Sequence, residues 1–167
     1  RAGFALANLR PVIGIFANAT GAKRLGGQWW SKFLPVLEQA CGDHDFVEIV
    51  PMSGRSLLDH RYRAYYSSDI RKLATVLAAL SVHISADCGV MHLANASCPR
   101  TIGLFAGSGP SEWGVAGPGH TNVYLMERSP EQAAAEVVNA IRSGEGTPST
   151  RANGAPAHPT QKTKHGT

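Results

Sequence analysis

The amino-acid sequence predicts an α/β domain, a parallel sheet with helices on both faces. Short apolar, β-branched runs recur along the chain, as at Val12 to Ala17, Val82 to Ala86 and Thr101 to Phe105. Between them lie stretches whose apolar residues repeat at helical spacing, and small-residue loops follow several of the runs. Strands that alternate with helices build a parallel sheet through right-handed crossovers.

The first strand, Val12 to Ala17, leads into Asn18-Ala-Thr-Gly-Ala-Lys-Arg-Leu-Gly-Gly27, a loop of small residues with two basic groups. Trp30, Phe33, Leu34 and Leu37 then mark a helix up to Gly42, with Pro35 expected to kink it or shift its start. Asp45 to Met52 reads as the second strand, closed by Pro51 and Ser53-Gly54. Arg55 to Tyr66 has the charged middle of a surface connection, with a short strand at Tyr65-Tyr66. Ser67 or Ser68 is expected to cap a helix whose apolar face is Ile70, Leu73, Val76, Leu77 and Leu80. The strand Val82 to Ala86, a short helix from about Val90 to Ser97 and the strand Thr101 to Phe105 follow. A glycine-rich loop, Ala106 to His120, precedes the strand Thr121 to Met126. Ser129-Pro-Glu-Gln132 is a capping box with proline at the first helical position, and the helix it opens runs to about Arg142 with Gly144 as its stop.

These elements make one Rossmann-like domain over residues 1–142. From Ser143 to Thr167 large apolar side chains all but vanish, so residues 143–167 are expected to be a disordered tail rich in Pro, Gly, Thr and Lys. With 167 residues, 43% hydrophobic and 17% charged, the chain can bury a core without disulfide or metal staples. No apolar run approaches the ~20 residues of a membrane span. The three cysteines lack metal-ligand spacing and suit reduced thiols in the cytoplasm, so no metal is expected. The net charge is +4, half of it in the tail, without the concentrated basic face of a nucleic-acid binder. The chain opens with Arg1 rather than methionine, which suits a segment of a longer protein.

The most informative stretch runs from Ile84 to Gly107. An apolar strand ends at Asp87, a tight turn follows at Cys88-Gly89, and a helix starts there. Ligands of α/β sheets bind beyond the carboxyl ends of the strands, and a helix start offers unpaired N–H groups and about half a positive charge. That arrangement fits phosphate. A dinucleotide oxidoreductase is disfavoured, since no Gly-x-Gly-x-x-Gly follows the first strand and the acidic ribose partner expected about 20 positions later has no clear candidate.

Asp87-Cys-Gly-Val-Met-His92, Pro99-Arg-Thr-Ile-Gly-Leu-Phe105, Gly117-Pro118-Gly119 and the lysine-bearing loop Thr20 to Lys23 together resemble glycosyltransferase family 9, the heptosyltransferases of lipopolysaccharide synthesis. The resemblance spans roughly Val12 to Arg142 and corresponds to the C-terminal half of a family member. It implies the GT-B fold, in which this half holds the nucleotide-sugar donor. It also implies an inverting, metal-independent sugar transfer, with heptose from an ADP-linked donor as the expected reaction and no cofactor. The acceptor, a glycolipid or glycan of the cell envelope, and the catalytic base are then expected from an N-terminal domain outside this chain. The expected location is the cytoplasm, at the cytoplasmic face of the inner membrane.

By the same resemblance the donor-binding residues are Thr20, Gly21, Lys23, Asp87, Cys88, Gly89 and His92, with Gly107 and Ser108 beside the donor sugar. Asp87 would accept hydrogen bonds from sugar hydroxyls or orient the turn, and Gly89 would let backbone approach phosphate. Plainer readings stand beside these. His92 also fits a packed helix residue, Lys23 a solvated loop charge, Cys88 either a small helix-start residue or a reactive thiol, and Gly107-Ser-Gly-Pro110 a simple reversal. Trp29 and Trp30 read as core and rim. The chain departs from the family where Cys88 replaces the frequent threonine, where Pro51-Met-Ser-Gly-Arg55 replaces a glycine-rich turn with an acidic ribose partner, and where Phe105-Ala-Gly-Ser-Gly-Pro110 loosens a Phe-Gly-Pro-Thr pattern. A non-catalytic nucleotide-sugar-binding or scaffold module is the alternative function.

Overall fold

The computed structural model describes residues 10–98, 100–107 and 109–144. Six strands form one sheet: β1 (Val12–Phe16), β2 (Asp45–Ile49), β3 (Arg63–Tyr65), β4 (Val82–Ala86), β5 (Thr101–Phe105) and β6 (Thr121–Tyr124). Their order is β3-β2-β1-β4-β5-β6, and each neighbouring pair is parallel. The chain therefore builds outward from β1 in one direction and then returns to build outward from it in the other. The reversal falls between β1 and β4, where the crossover loops leave to opposite faces and open a crevice.

Alternate side chains of each strand feed separate cores. Ile13 and Ile15 of β1, with Val82 and Ile84 of β4, pack against Trp30, Phe33, Leu34 and Leu37 of α1 (Gly27–Ala40) and Val137 and Ile141 of α5 (Pro130–Gly144). On the opposite face Phe16 packs with Leu77 of α2 (Ile70–Ala79) and Ala94 of α3 (Gly89–Ser97). Gly14 lets the Leu80 and His83 side chains approach the strand closely there. A Cβ at that position would stand 2.4 Å from Leu80 Cδ1 and 3.1 Å from His83 Nδ1.

Local signals in the sequence placed most elements, and the differences have local causes. The capping box forms as expected, with Ser129 N donating to Gln132 Oε1 at 2.9 Å and Gln132 N to Ser129 Oγ at 3.2 Å. Its helix continues through Ser143 and Gly144, two residues past the expected end, while residues 145–167 of the expected tail lie outside the described residues. The cap of α2 is Asp69 rather than Ser67 or Ser68. Its carboxylate accepts from Arg71 N and Lys72 N, and Ser67 Oγ instead accepts from Asp69 N, forming the turn that precedes the cap. Ile70 consequently stands at the first helical position and is 65% exposed instead of joining the apolar face. Helix α1 begins at Gly27 and runs through Pro35, which is exposed, so water can reach the carbonyl that loses its partner. Strand β2 stops at Ile49 because Pro51 to Gly54 forms a turn, closed by Gly54 N donating to Pro51 O at 2.8 Å. The loop after β5 contains a four-residue helix, α4 (Pro110–Trp113), that the glycine-rich composition hid.

The segment between β2 and β3 is organised by two carboxylates. Glu48, buried in β2, accepts from Ser56 Oγ at 2.6 Å and Leu57 N at 2.8 Å. Glu38 of α1 takes both Arg61 Nε and Nη2 at 2.6 Å and the Tyr62 hydroxyl at 2.6 Å. The Arg61 hydrogen bonds hold the Glu38 carboxyl below its ordinary range.

His83, in the middle of β4, is fully buried, and neither ring nitrogen has a partner among the described residues. Burial pushes its pKa down to about 3 from 6.5. Between those values the unfolded chain binds a proton that the folded chain does not, so stability falls as pH falls, by up to about 1.4 kcal/mol per pH unit. Burial lowers His120 as well, which acts in the same direction. The urea midpoint is expected to be clearly lower at pH 5 than at pH 7.5, with His83→Leu flattening the dependence. Equal slopes in the two proteins would contradict the assignment to His83.

Candidate functional site

The carboxyl ends of β1 and β4 carry the two loops that the motif reading singled out. After β1 the chain passes Asn18 and Ala19 and enters a single 3-10 turn, Gly21–Lys23, in which Lys23 N donates to Thr20 O. Gly21 has φ +59°, a left-handed conformation in which a Cβ is strained, so glycine starts this turn for a backbone reason. After β4, Asp87 N donates to Leu104 O at 3.2 Å, Cys88 takes the extended N-cap conformation, and α3 begins at Gly89.

Folding brings these loops together. Lys23 Nζ lies 2.7 Å from Asp87 Oδ2, with the Asp87 side chain 3% exposed and that of Lys23 35% exposed. A lysine ammonium has three donors, and one bond to Asp87 leaves two for a ligand. The pair floors a cavity of about 430 Å³, also lined by Phe16, Asn18, Thr20, Cys88, Gly89 and Val90. Gly89 needs its glycine for neither backbone strain nor chain packing. A Cβ there would meet nothing within 4 Å, because it would project into open space at the helix start.

Of the seven expected donor-binding residues, Thr20, Lys23, Asp87, Cys88 and Gly89 line this cavity and Gly21 shapes its loop. His92 does not line it. It stands one turn beyond Gly89 on a similar side of α3, exposed to solvent. Gly107 comes back against the lysine loop, where a Cβ would be 3.8 Å from Ala22, and Ser108 lies outside the described residues. The Cys88 thiol sits 3.6 Å from Ser85 Oγ. Burial pushes its pKa up, more than the Met91 and Val90 amides and the Ser85 hydroxyl pull it down. The thiol form is thereby favoured, which supports the plain helix-start reading over a reactive thiolate. Trp30 is buried and Trp29 half-buried, stacked on Phe33 at 4.8 Å between ring centroids, as core and rim residues.

The sequence reading missed the larger part of the crevice. A second cavity of about 530 Å³ shares Phe16, Asn18, Gly89 and Val90 with the first and extends over the ends of β2 and β3. Its wall is apolar, with Ile49, Pro51, Met52, Tyr66, Ile70 and Leu93. Met52 is 85% exposed and Ile70 65%, values that make sense at the mouth of a ligand slot. The rule that ligands gather beyond carboxyl ends of strands, applied after Ile49 and Tyr65 as well, was the signal that pointed here.

A six-stranded parallel sheet in this order, with an open crevice at its point of reversal, defines a Rossmann-like α/β domain of the kind found in GT-B glycosyltransferases. Residues 67–141 match the model for glycosyltransferase family 9 (heptosyltransferase). Solved structures share the fold, among them the following three. The Escherichia coli ADP-heptose lps heptosyltransferase II superposes with a TM-score of 0.64 at 17% identity, covering 86% of this chain and 50% of that one. The E. coli heptosyltransferase WaaC with ADP gives 0.62 at 17% identity, over 80% of this chain and 43% of that one. The glycosyl transferase family 9 from Veillonella parvula gives 0.65 at 14% identity, over 80% and 46%. The chain thus spans about half the length of the first of these structures or less. No curated protein sequence matches the chain. The matched segment includes Asp87 to His92 but not Lys23, so the lysine enters the site through the fold and its contact with Asp87.

The pairing predicts an asymmetry. Lys23→Met removes the ammonium that stands 2.7 Å from the buried Asp87 carboxylate and is expected to lower stability by about 1–3 kcal/mol, whereas Asp87→Asn removes the charge itself and costs less. Urea denaturation of the two variants measures this, and a neutral Lys23→Met would show that the pair is not made.

Proposed function

We propose that this domain is the donor-binding half of an inverting glycosyltransferase that moves a sugar, heptose, from an ADP-linked donor to a lipopolysaccharide-type acceptor. One observation carries the reading: Lys23, Asp87 and the first turn of α3 face a single cavity at the reversal of strand order, beside an apolar slot. The nucleobase fits the slot between Met52, Tyr66 and Ile70, and the diphosphate fits the cavity over Gly89. Solved relatives of the same fold are described with ADP and with ADP-2-deoxy-2-fluoro heptose, which supports a donor of this class.

In this reading the anomeric C–O bond breaks and its electron pair leaves with the diphosphate, whose terminal oxygen gains charge. Two free donors of Lys23 and the Gly89 and Val90 amides at the positive end of α3 meet that charge without a resident metal. Asp87 positions Lys23 and presents its carboxylate to sugar hydroxyls, while His92 stands exposed one turn further along α3. The acceptor and the base that deprotonates it come from a separate domain. No helix among the described residues is long and apolar enough to cross a membrane, and the domain is proposed to work at the cytoplasmic membrane face through its acceptor.

Calorimetry with ADP, UDP and GDP tests the reading. ADP is expected to bind best, and Gly89→Ala to weaken it about tenfold while leaving Tm nearly unchanged, since alanine is the better helix former and its methyl touches only the ligand. No binding of any nucleoside diphosphate, or full ADP affinity in Gly89→Ala, would overturn the placement.

A further inference from the structure

The crevice continues past the apolar slot into a third compartment of about 490 Å³. Asn18, Pro51 and Met52 belong to both, and Arg24, Ser53, Arg55 and Leu57 complete its wall. No acidic side chain lines it. Neither guanidinium has an ion pair or hydrogen bond among the described residues, and both arginines are exposed. The contrast with Lys23 is direct. Its charge is already matched by Asp87, so the uncompensated positive charge of the crevice sits in this outer compartment.

Both arginines stand next to anchored residues. Arg24 follows Lys23 immediately, and its backbone N–H donates to Gly21 O at 3.2 Å. Arg55 follows the Pro51–Gly54 turn, whose Gly54 has φ +66°, and precedes Ser56 and Leu57, which the buried Glu48 holds. Ser53 Oγ accepts from Arg55 N at 3.4 Å, which leaves its hydroxyl proton to donate outward. In open α/β sheets the loop after the second strand meets the nucleoside ribose. A carboxylate there takes a ribose hydroxyl, and an arginine takes a phosphate on it. Here that loop, Pro51 to Arg55, has no carboxylate and ends in arginine.

We propose that the compartment of Asn18, Arg24, Ser53 and Arg55 binds a phosphomonoester carried by a substrate of this domain. Two guanidinium forks match the charge and the oxygen geometry of a phosphate dianion, and Asn18 and Ser53 add neutral donors. The proposal rests on the donor-site reading for its position beside the nucleoside, and extends it to a second anion. That anion is borne either by the ribose of the donor or by the acceptor.

Titration calorimetry of the 167-residue chain separates the outcomes. Adenosine 2′,5′- and 3′,5′-bisphosphate are compared with AMP, and glucose 6-phosphate is added to the chain saturated with ADP. If the phosphate is on the ribose, one bisphosphate binds about tenfold tighter than AMP and Arg24→Gln/Arg55→Gln removes the difference. If it is on the acceptor, glucose 6-phosphate binds the ADP-loaded chain, and the same double substitution abolishes that binding. ADP affinity itself is expected to change less than about threefold. Unchanged affinities for all these phosphomonoesters in the double variant overturn the proposal. Glucose 6-phosphate is also titrated into the chain without ADP, and failure of ADP to bind the unmodified chain, with arginine-dependent binding of a phosphomonoester intact, overturns the donor reading and leaves the compartment standing.

Discussion

The contact between Lys23 and Asp87 ties together the two strands from which the whole sheet grows. Asp87 ends β4 and Lys23 sits on the loop that ends β1, so their pair spans the seam at which strand order reverses. That seam is where helices depart to opposite faces and leave backbone groups uncovered. A buried carboxylate there is tolerable only with a cation against it, and the cation stays useful because one of its three donors satisfies the aspartate. The same geometry aims the start of α3 into the opening. Structural and chemical demands thus coincide in two side chains.

Charge is distributed unevenly along the crevice. Its floor is nearly neutral, with the ammonium matched by the carboxylate and only helix-end partial charges added. The middle is an apolar slot over the ends of β2 and β3. The outer end carries two guanidiniums that nothing described in the chain compensates. An anionic ligand approaching the domain therefore feels the outer end first and the floor at close range.

Two other carboxylates, one buried and one half-buried, do a second job in this fold. Glu48 and Glu38 give the β2–β3 connection a fixed course, the first through Ser56 and Leu57 and the second through Arg61 and Tyr62. The connection forms the far wall of the crevice, so its rigidity sets where Met52 and Arg55 stand. A polar, charge-rich stretch that reads as solvent-facing is in fact held from beneath.

Signals confined to a few neighbouring residues were legible in the sequence by itself. The periods of the strands and helices, the Ser129 to Gln132 capping box and the strand-turn-helix at Asp87 to Gly89 are all set by backbone sterics and hydrogen bonds among adjacent residues, and each formed as expected. Choices among equivalent local partners were not legible, as with Asp69 prevailing over Ser67 and Ser68 as a cap. Contacts between distant segments were beyond reach altogether: the pairing of Lys23 with Asp87, the burial of His83 beside Gly14, and the slot assembled from the ends of three strands. Those depend on which strand lies beside which, and only the assembled sheet decides that. The sequence determined that a helix starts directly after β4, and the tertiary structure decided what stands opposite that start.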